Sequence, residues 1–148
     1  MWMGIQYHPD LGEALWCDYT GMEPEMVKRR LCVVIVPRSA QRSRLTTVVP
    51  ISATPPDVVM AWHVKLARDP LPNSKMAEVW VKCDMINAVS FNRLSGNYIR
   101  WNGERKYQKM KISMDELQAI RTGVRAALGL NNAPTAGLEI VEKMGGDL

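Results

Sequence analysis

Val27 to Arg38 reads VKRRLCVVIVPR, three cations followed without a break by the apolar block Leu31 to Val36. An apolar run of that length, rich in β-branched residues, reads as a strand covered on both faces, and so as a central strand. The charge at its mouth is either a solvated strand end or an anion site held rigid by the sheet behind it. The basic character continues beyond the quoted stretch. Six cations (Lys28, Arg29, Arg30, Arg38, Arg42 and Arg44) lie between positions 28 and 44, with no acid among them.

On either side of this strand the chain reads as further short strands. Expected strands are Glu13 to Tyr19, Leu31 to Pro37, Leu45 to Ile51, Val58 to Leu66 and Ala77 to Cys83, with Met85 to Val89 continuing from the last. Pro50 has no N–H to give a ladder, so it belongs at an edge, a bulge or a strand end. Asn102-Gly103 is a strong two-residue hairpin signal, expected to join NYIRW to a strand ending at KMKI. The period then changes. Met114, Leu117, Ile120, Val124 and Leu128 recur at helical spacing, after an S-x-x-E capping box at Ser113 and Glu116 and before a stop at Gly129. Short strands closed by one helix indicate a mainly β chain, a small barrel with a C-terminal α-helix. Residues 1–130 form the expected single domain, and 131–148, rich in Asn, Pro, Thr and Gly, the expected loosely ordered tail.

Bulk properties narrow the function classes. The 148 residues suit about one domain, with 47% hydrophobic and 23% charged residues and a net charge of +4. No apolar run reaches the roughly 18 residues of a membrane span. MWMGIQYHPDLGE has neither a basic nor an apolar leader segment, so no signal peptide is expected. Three widely spaced cysteines (Cys17, Cys32 and Cys83) suit neither a disulfide framework nor a zinc site, so no metal or cofactor is expected and the cytoplasm is the default location.

No G-x-S-x-G, P-loop or H-E-x-x-H motif occurs, and the two histidines, His8 and His63, read as structural. Arg, Lys, Asp, Glu and hydroxyls remain. Such a set can cleave RNA, because the substrate's own 2′-hydroxyl is a nucleophile already held near phosphorus. A carboxylate can take its proton, a guanidinium can stabilise the phosphorane, and a hydroxyl can hold a phosphate oxygen.

Four blocks in order, from Gly12 to Leu130, carry a family resemblance: GEALWCDY, EMVKRRLCVVIVP, TTVVPIS and VWVKCDMINAVSFNRL. With the closing helix they resemble the MazF/PemK (Kid) toxins of bacterial toxin–antitoxin modules. The resemblance implies an SH3-like barrel of the MazF, Kid and CcdB type. It also implies a homodimer, metal-independent and sequence-specific cleavage of single-stranded RNA, and a cognate acidic antitoxin. Carried onto this chain, it makes Arg30 the catalytic arginine, Glu25 a proton-transfer group, Ser52 the phosphate-contacting hydroxyl and Asp84 a further catalytic acid. Lys28, Arg29, Lys82 and Thr54 become RNA contacts.

The chain also departs from the family. Leu31 follows Arg30 where Pro is usual, and Ser52 stands for Thr. Lys82 stands for Arg, keeping charge without the bidentate fork. Pro24 occupies the position of a catalytic His in the Kid branch, so that role is absent or shifted. Related barrels include gyrase-binding toxins, in which a basic stretch would dock a protein, and an inactive RNA or antitoxin binder is a third reading. Trp62, Trp80 and Trp101 could stack on bases, with core or dimer packing the better fit for Trp80 and packing within the hairpin for Trp101.

Overall fold

The structure, a computed structural model, describes residues 4–70 and 78–130. Its strands are β1 (Glu13–Asp18), β2 (Arg29–Val34), β3 (Leu45–Ser52), β4 (His63–Lys65), β5 (Trp80–Lys82), β6 (Asn87–Ser90), β7 (Leu94–Ser95), β8 (Asn97–Trp101), β9 (Glu104–Gln108) and β10 (Met110–Lys111). The helix α1 spans Met114–Ala127. The main sheet runs β10-β1-β2-β3-β5-β4, with β6 on β3 and β7 on β1. This is a mainly β, curled half-barrel closed by one C-terminal helix, where the sequence indicated a small barrel with such a helix.

The apolar block of β2 has no polar face because both of its faces are covered. Leu31 and Val33 pack with Val49, Ile51, Val81 and Ile120 on the side of α1. Cys32 and Val34 pack with Leu15, Cys17, Val48 and Phe91 on the side enclosed by the curl. Pro50 pairs with Cys32 of β2. On its other side β3 changes neighbours around Pro50, from β6 at Leu45–Val48 to β5 at Ile51–Ser52. The missing N–H thus falls where that ladder is interrupted.

The helix follows its sequence signals. Ser113 and Glu116 form both halves of the capping box, and Gly129 takes φ +75° just past the end. Gly123 sits on the sheet, where an added Cβ would lie 2.9 Å from Cys83 Sγ.

One expectation needs correction. The fourth strand is only His63–Lys65, and Val58, Val59 and Met60 are exposed. Met60 and His63 close a turn from both ends: His63 N donates to Met60 O at 3.0 Å, and Met60 N donates to His63 Nδ1 at 2.9 Å. His63 is therefore a turn-capping residue. Trp101 is 60% exposed, meeting within the hairpin the Lys106 ammonium at 5.9 Å from its ring centre, because β8 and β9 form a separate two-stranded sheet. Trp80 is buried, as core packing requires. The start of the fifth strand at Ala77 and the tail 131–148 lie outside the described residues.

Candidate active site

The cations of the basic stretch separate once folded. Arg38 pairs with Asp10, Arg42 donates to Thr47 Oγ1 at 3.0 Å, and Arg44 donates to Asn92 Oδ1 at 2.7 Å. These three hold loops together. Lys28, Arg29 and Arg30 go three different ways. Lys28 takes φ +70° at the mouth of β2, its carbonyl accepting from Tyr19 N at 3.0 Å while its side chain is exposed. Alternation along β2 then sends Arg29 and Arg30 to opposite faces. Arg29 lies on the helix side, its guanidinium 4.6 Å from the centre of the Trp16 ring. Arg30 shares the inner face with Cys32.

The register extends that face across three strands. Cys32 pairs with Pro50, and Ser52 pairs with Trp80. Two residues beyond Cys32 and Pro50, Arg30 and Ser52 fall on the same face, as does Lys82 two residues beyond Trp80. Arg30 and Lys82 meet in a cleft of about 390 Å³, lined also by Glu23, Glu25, Met26 and Met85. Two anions and two cations thus face a small space with partly apolar walls. Two larger clefts, of about 600 and 640 Å³, lie elsewhere and contain none of these groups.

Local chemistry sets each side chain. Glu25 is exposed at the end of a tight turn, its N donating to Met22 O at 2.8 Å and its Oε2 accepting from Met22 N at 2.7 Å. Gly21 permits this turn, since a Cβ there would lie 2.3 Å from Met26 O. Arg30 is half-buried, and its Nε is fully buried with no hydrogen-bond partner. A buried donor left unpaired costs about 1–3 kcal/mol, and the same side chain lines the cleft. Ser52 is buried, accepting from Thr54 N at 3.1 Å and donating to Thr54 O at 3.3 Å.

The cleft therefore brings together Glu25, Arg30 and Lys82. Ser52 and Thr54 form their own turn outside its lining, and Asp84 is exposed past Lys82. Burial, then the neighbouring Asp84, pushes the Cys83 thiol up to about 12. Burial, then Cys17, raises Cys32 as well. Neither thiol is a nucleophile near neutral pH. Among the described residues no group of three or more His, Cys, Asp or Glu is placed to hold a metal ion.

Sequence reasoning gave Arg93 no role, yet it holds the Glu25 loop in place. Its Nη1 donates to Tyr19 O at 2.8 Å and Thr20 Oγ1 at 2.6 Å, with Asp18 O at 3.2 Å. The signal was the Arg-Leu pair closing the fourth block. Met26 and Met85, also unassigned, carried no signal beyond their neighbours.

Comparison with known proteins agrees with this architecture. The family model of the PemK-like, MazF-like toxins of type II toxin–antitoxin systems matches residues 10–128. MazF from Deinococcus radiodurans (Form-I) is similar in structure, with TM-score 0.60 and 20% identity over 84% of this chain and 99% of that one. An endoribonuclease from a mycobacterial species, solved in complex with its cognate antitoxin, gives TM-score 0.58 and 16% identity over 84% and 99% of the two chains. A second mycobacterial endoribonuclease gives TM-score 0.58 and 17% identity over 90% and 100%. No curated protein matches the sequence.

Proposed function

Because this chain belongs to the PemK-like, MazF-like toxins of type II toxin–antitoxin systems, we propose that it is an endoribonuclease cutting single-stranded RNA at a short sequence by attack of the 2′-hydroxyl. The observation that carries this reading is the convergence of Glu25, Arg30 and Lys82 on one cleft, with a buried, unpartnered Arg30 Nε. The assigned roles balance. Glu25 accepts the 2′ proton as the 2′-oxygen bonds to phosphorus, and Arg30 stabilises the charge on the phosphorane oxygens. In place of Asp84, the further acid that the resemblance implied but which lies exposed outside the cleft lining, Lys82 from the β5 side supplies the proton as the P–O5′ bond breaks. The products are a 2′,3′-cyclic phosphate and a 5′-hydroxyl. Ser52, with Thr54 beside it, holds a phosphate oxygen, while Lys28 and Arg29 contact RNA outside the cleft. The chemistry uses no metal. The working form is a cytoplasmic homodimer whose cleft an acidic antitoxin covers; a mycobacterial endoribonuclease solved in complex with its cognate antitoxin supports an antitoxin partner.

Incubation of the purified protein with a long unstructured RNA in EDTA, with the ends of the fragments mapped, tests the proposal. Discrete cuts leaving 5′-hydroxyl ends are expected from the wild type. Their absence, or equal cutting by Arg30→Ala, rejects it.

A further inference from the structure

β7 and β10 act as one strand that has been opened. Trp16 of β1 faces Ser95 of β7, so a continuous antiparallel strand would set residue 97 opposite Ala14. Met110 stands there instead, thirteen residues further on (110 against 97). The intervening chain is the β8–β9 hairpin. It loops out between two segments that pair with the same strand, β1. Asn97 anchors its base, Nδ2 donating to Ala14 O at 2.9 Å. Asn102 and Gly103 make its turn, with φ +49° and +79°, as a type I′ turn requires.

One face of this hairpin has an arrangement that costs stability in isolation. Arg100 lies directly opposite Arg105, and Tyr98 directly opposite Tyr107. Like charges opposite each other across a ladder repel. Among the described residues neither arginine forms an ion pair with an acid. Arg105 instead lies 4.7 Å from the centre of the Tyr98 ring, and the two tyrosine rings meet edge to face at 5.6 Å. Tyr98 is 38% exposed and Tyr107 63%. Tyr107 also lines the 640 Å³ cleft at the hairpin base, with Tyr7, His8, Arg38 and Lys109. A cationic, aromatic face thus runs into a nucleotide-sized recess.

We propose that this face is an accessory RNA-binding arm. It holds single-stranded RNA outside the cleavage cleft, with phosphates across Arg100 and Arg105 and bases stacked on Tyr98 and Tyr107. Aromatic faces bind unstacked bases of any sequence, and paired arginines bind phosphate; an acidic peptide would use the charge but leave the rings idle. A duplex would hide its bases from the rings. The arm extends the proposed nuclease reading, since it lengthens the substrate such an enzyme prefers.

Binding without cleavage isolates the arm. The probe is a fluorescein-labelled 2′-O-methyl oligouridylate of about 16 nucleotides, followed by anisotropy with the full chain. The Arg100→Ala/Arg105→Ala double variant is expected to bind at least tenfold more weakly. Its slope of log Kd against log salt should be shallower by about 1.4, the value for two lost phosphate contacts on a single strand. Trp101→Ala, on the opposite face, is expected to change affinity less than twofold. Unchanged affinity and slope in the double variant overturns the proposal, as does competition by a polyglutamate peptide as strong as by unlabelled oligouridylate. The two readings fail separately. A chain that binds through Arg100 and Arg105 but never cuts RNA keeps the arm and loses the nuclease. A chain that cuts RNA while the double variant binds normally does the reverse.

Discussion

At the mouth of β2, Arg30 enters a cleft from a strand buried on both faces, and its Nε is sealed from solvent. In the β8–β9 hairpin, Arg100 and Arg105 stand on an exposed two-stranded ribbon separate from the main sheet. Both regions are basic, but they differ in what fixes the charge. The first is held by a core, and so can present a guanidinium at a defined position, as stabilising a transition state requires. The second is held by one buried amide, a turn and a ring pair, which suffices for binding a flexible chain and not for chemistry. Position on a rigid element, rather than charge density, separates the proposed catalytic cation from the proposed binding cations.

The sharpest way to break that comparison lies within β2 itself. Arg29 and Arg30 are adjacent and equally charged, yet they occupy opposite faces. Arg30→Ala is expected to lower the cleavage rate by about 10²–10³-fold, the usual effect of removing one preorganised charge-stabilising donor. Arg29→Ala is expected to leave kcat within about twofold and to act only on salt-dependent affinity. Single-turnover cleavage of a labelled RNA at saturating protein checks both. Equal losses would mean that the triplet acts as a uniform basic patch and that the side of the sheet does not matter.

A second, smaller effect tests the other half. Deleting residues 97–109 joins Gly96 to Met110 and restores one strand along β1. The shortened chain is expected to fold with an unchanged far-UV spectrum and to cut RNA at a similar saturated rate, while KM for long RNA rises by about tenfold, as for lost stacking and phosphate contacts. A collapse of the saturated rate would make the hairpin part of the active site rather than an addition to it.

These contrasts explain which parts of the molecule the sequence revealed. β2 was legible because burial on both faces writes itself as an unbroken apolar run, and α1 because its capping box and period agree. The Asn102-Gly103 turn was equally plain, but what lay on the hairpin was not. The opposition of Arg100 to Arg105 follows from a two-residue turn, but the meeting of the Tyr98 and Tyr107 rings and their exposure appear only in the structure. The fourth strand was over-read because Val58, Val59 and Met60 are β-branched or apolar yet sit in the open, where a turn closed by His63 decides the backbone. Of the site residues, Glu25, Arg30 and Lys82 came through the family resemblance, and the cleft then brought them together. The parting of Arg29 from Arg30 needed only strand alternation, which was available in the sequence once the start of β2 was fixed at Arg29 rather than Leu31.

The smallest effect concerns the joint between the two regions. Asp10 pairs with Arg38, from the loop after β2, and with Lys109 at 2.8 Å and Lys111 at 2.9 Å, at the foot of the hairpin. The Lys109 and Lys111 hydrogen bonds hold its carboxyl well below the usual carboxylate range, and Arg38 adds to them. A carboxyl depressed in the folded state contributes stability at pH values above its unfolded pKa of about 3.9, and that contribution fades as pH falls from there toward the folded value. Asp10→Asn is therefore expected to melt at a lower temperature than wild type at pH 7. The two melting curves should draw together below about pH 4, where the wild-type carboxyl begins to protonate. Added salt should narrow the gap at pH 7 too, because these ion pairs face solvent. Thermal melts of both proteins from neutral to acid pH measure this directly. A gap that stayed constant down to pH 3 would show that Asp10 matters for its shape and not its charge, and that the hairpin foot is held to the barrel without help from that charge.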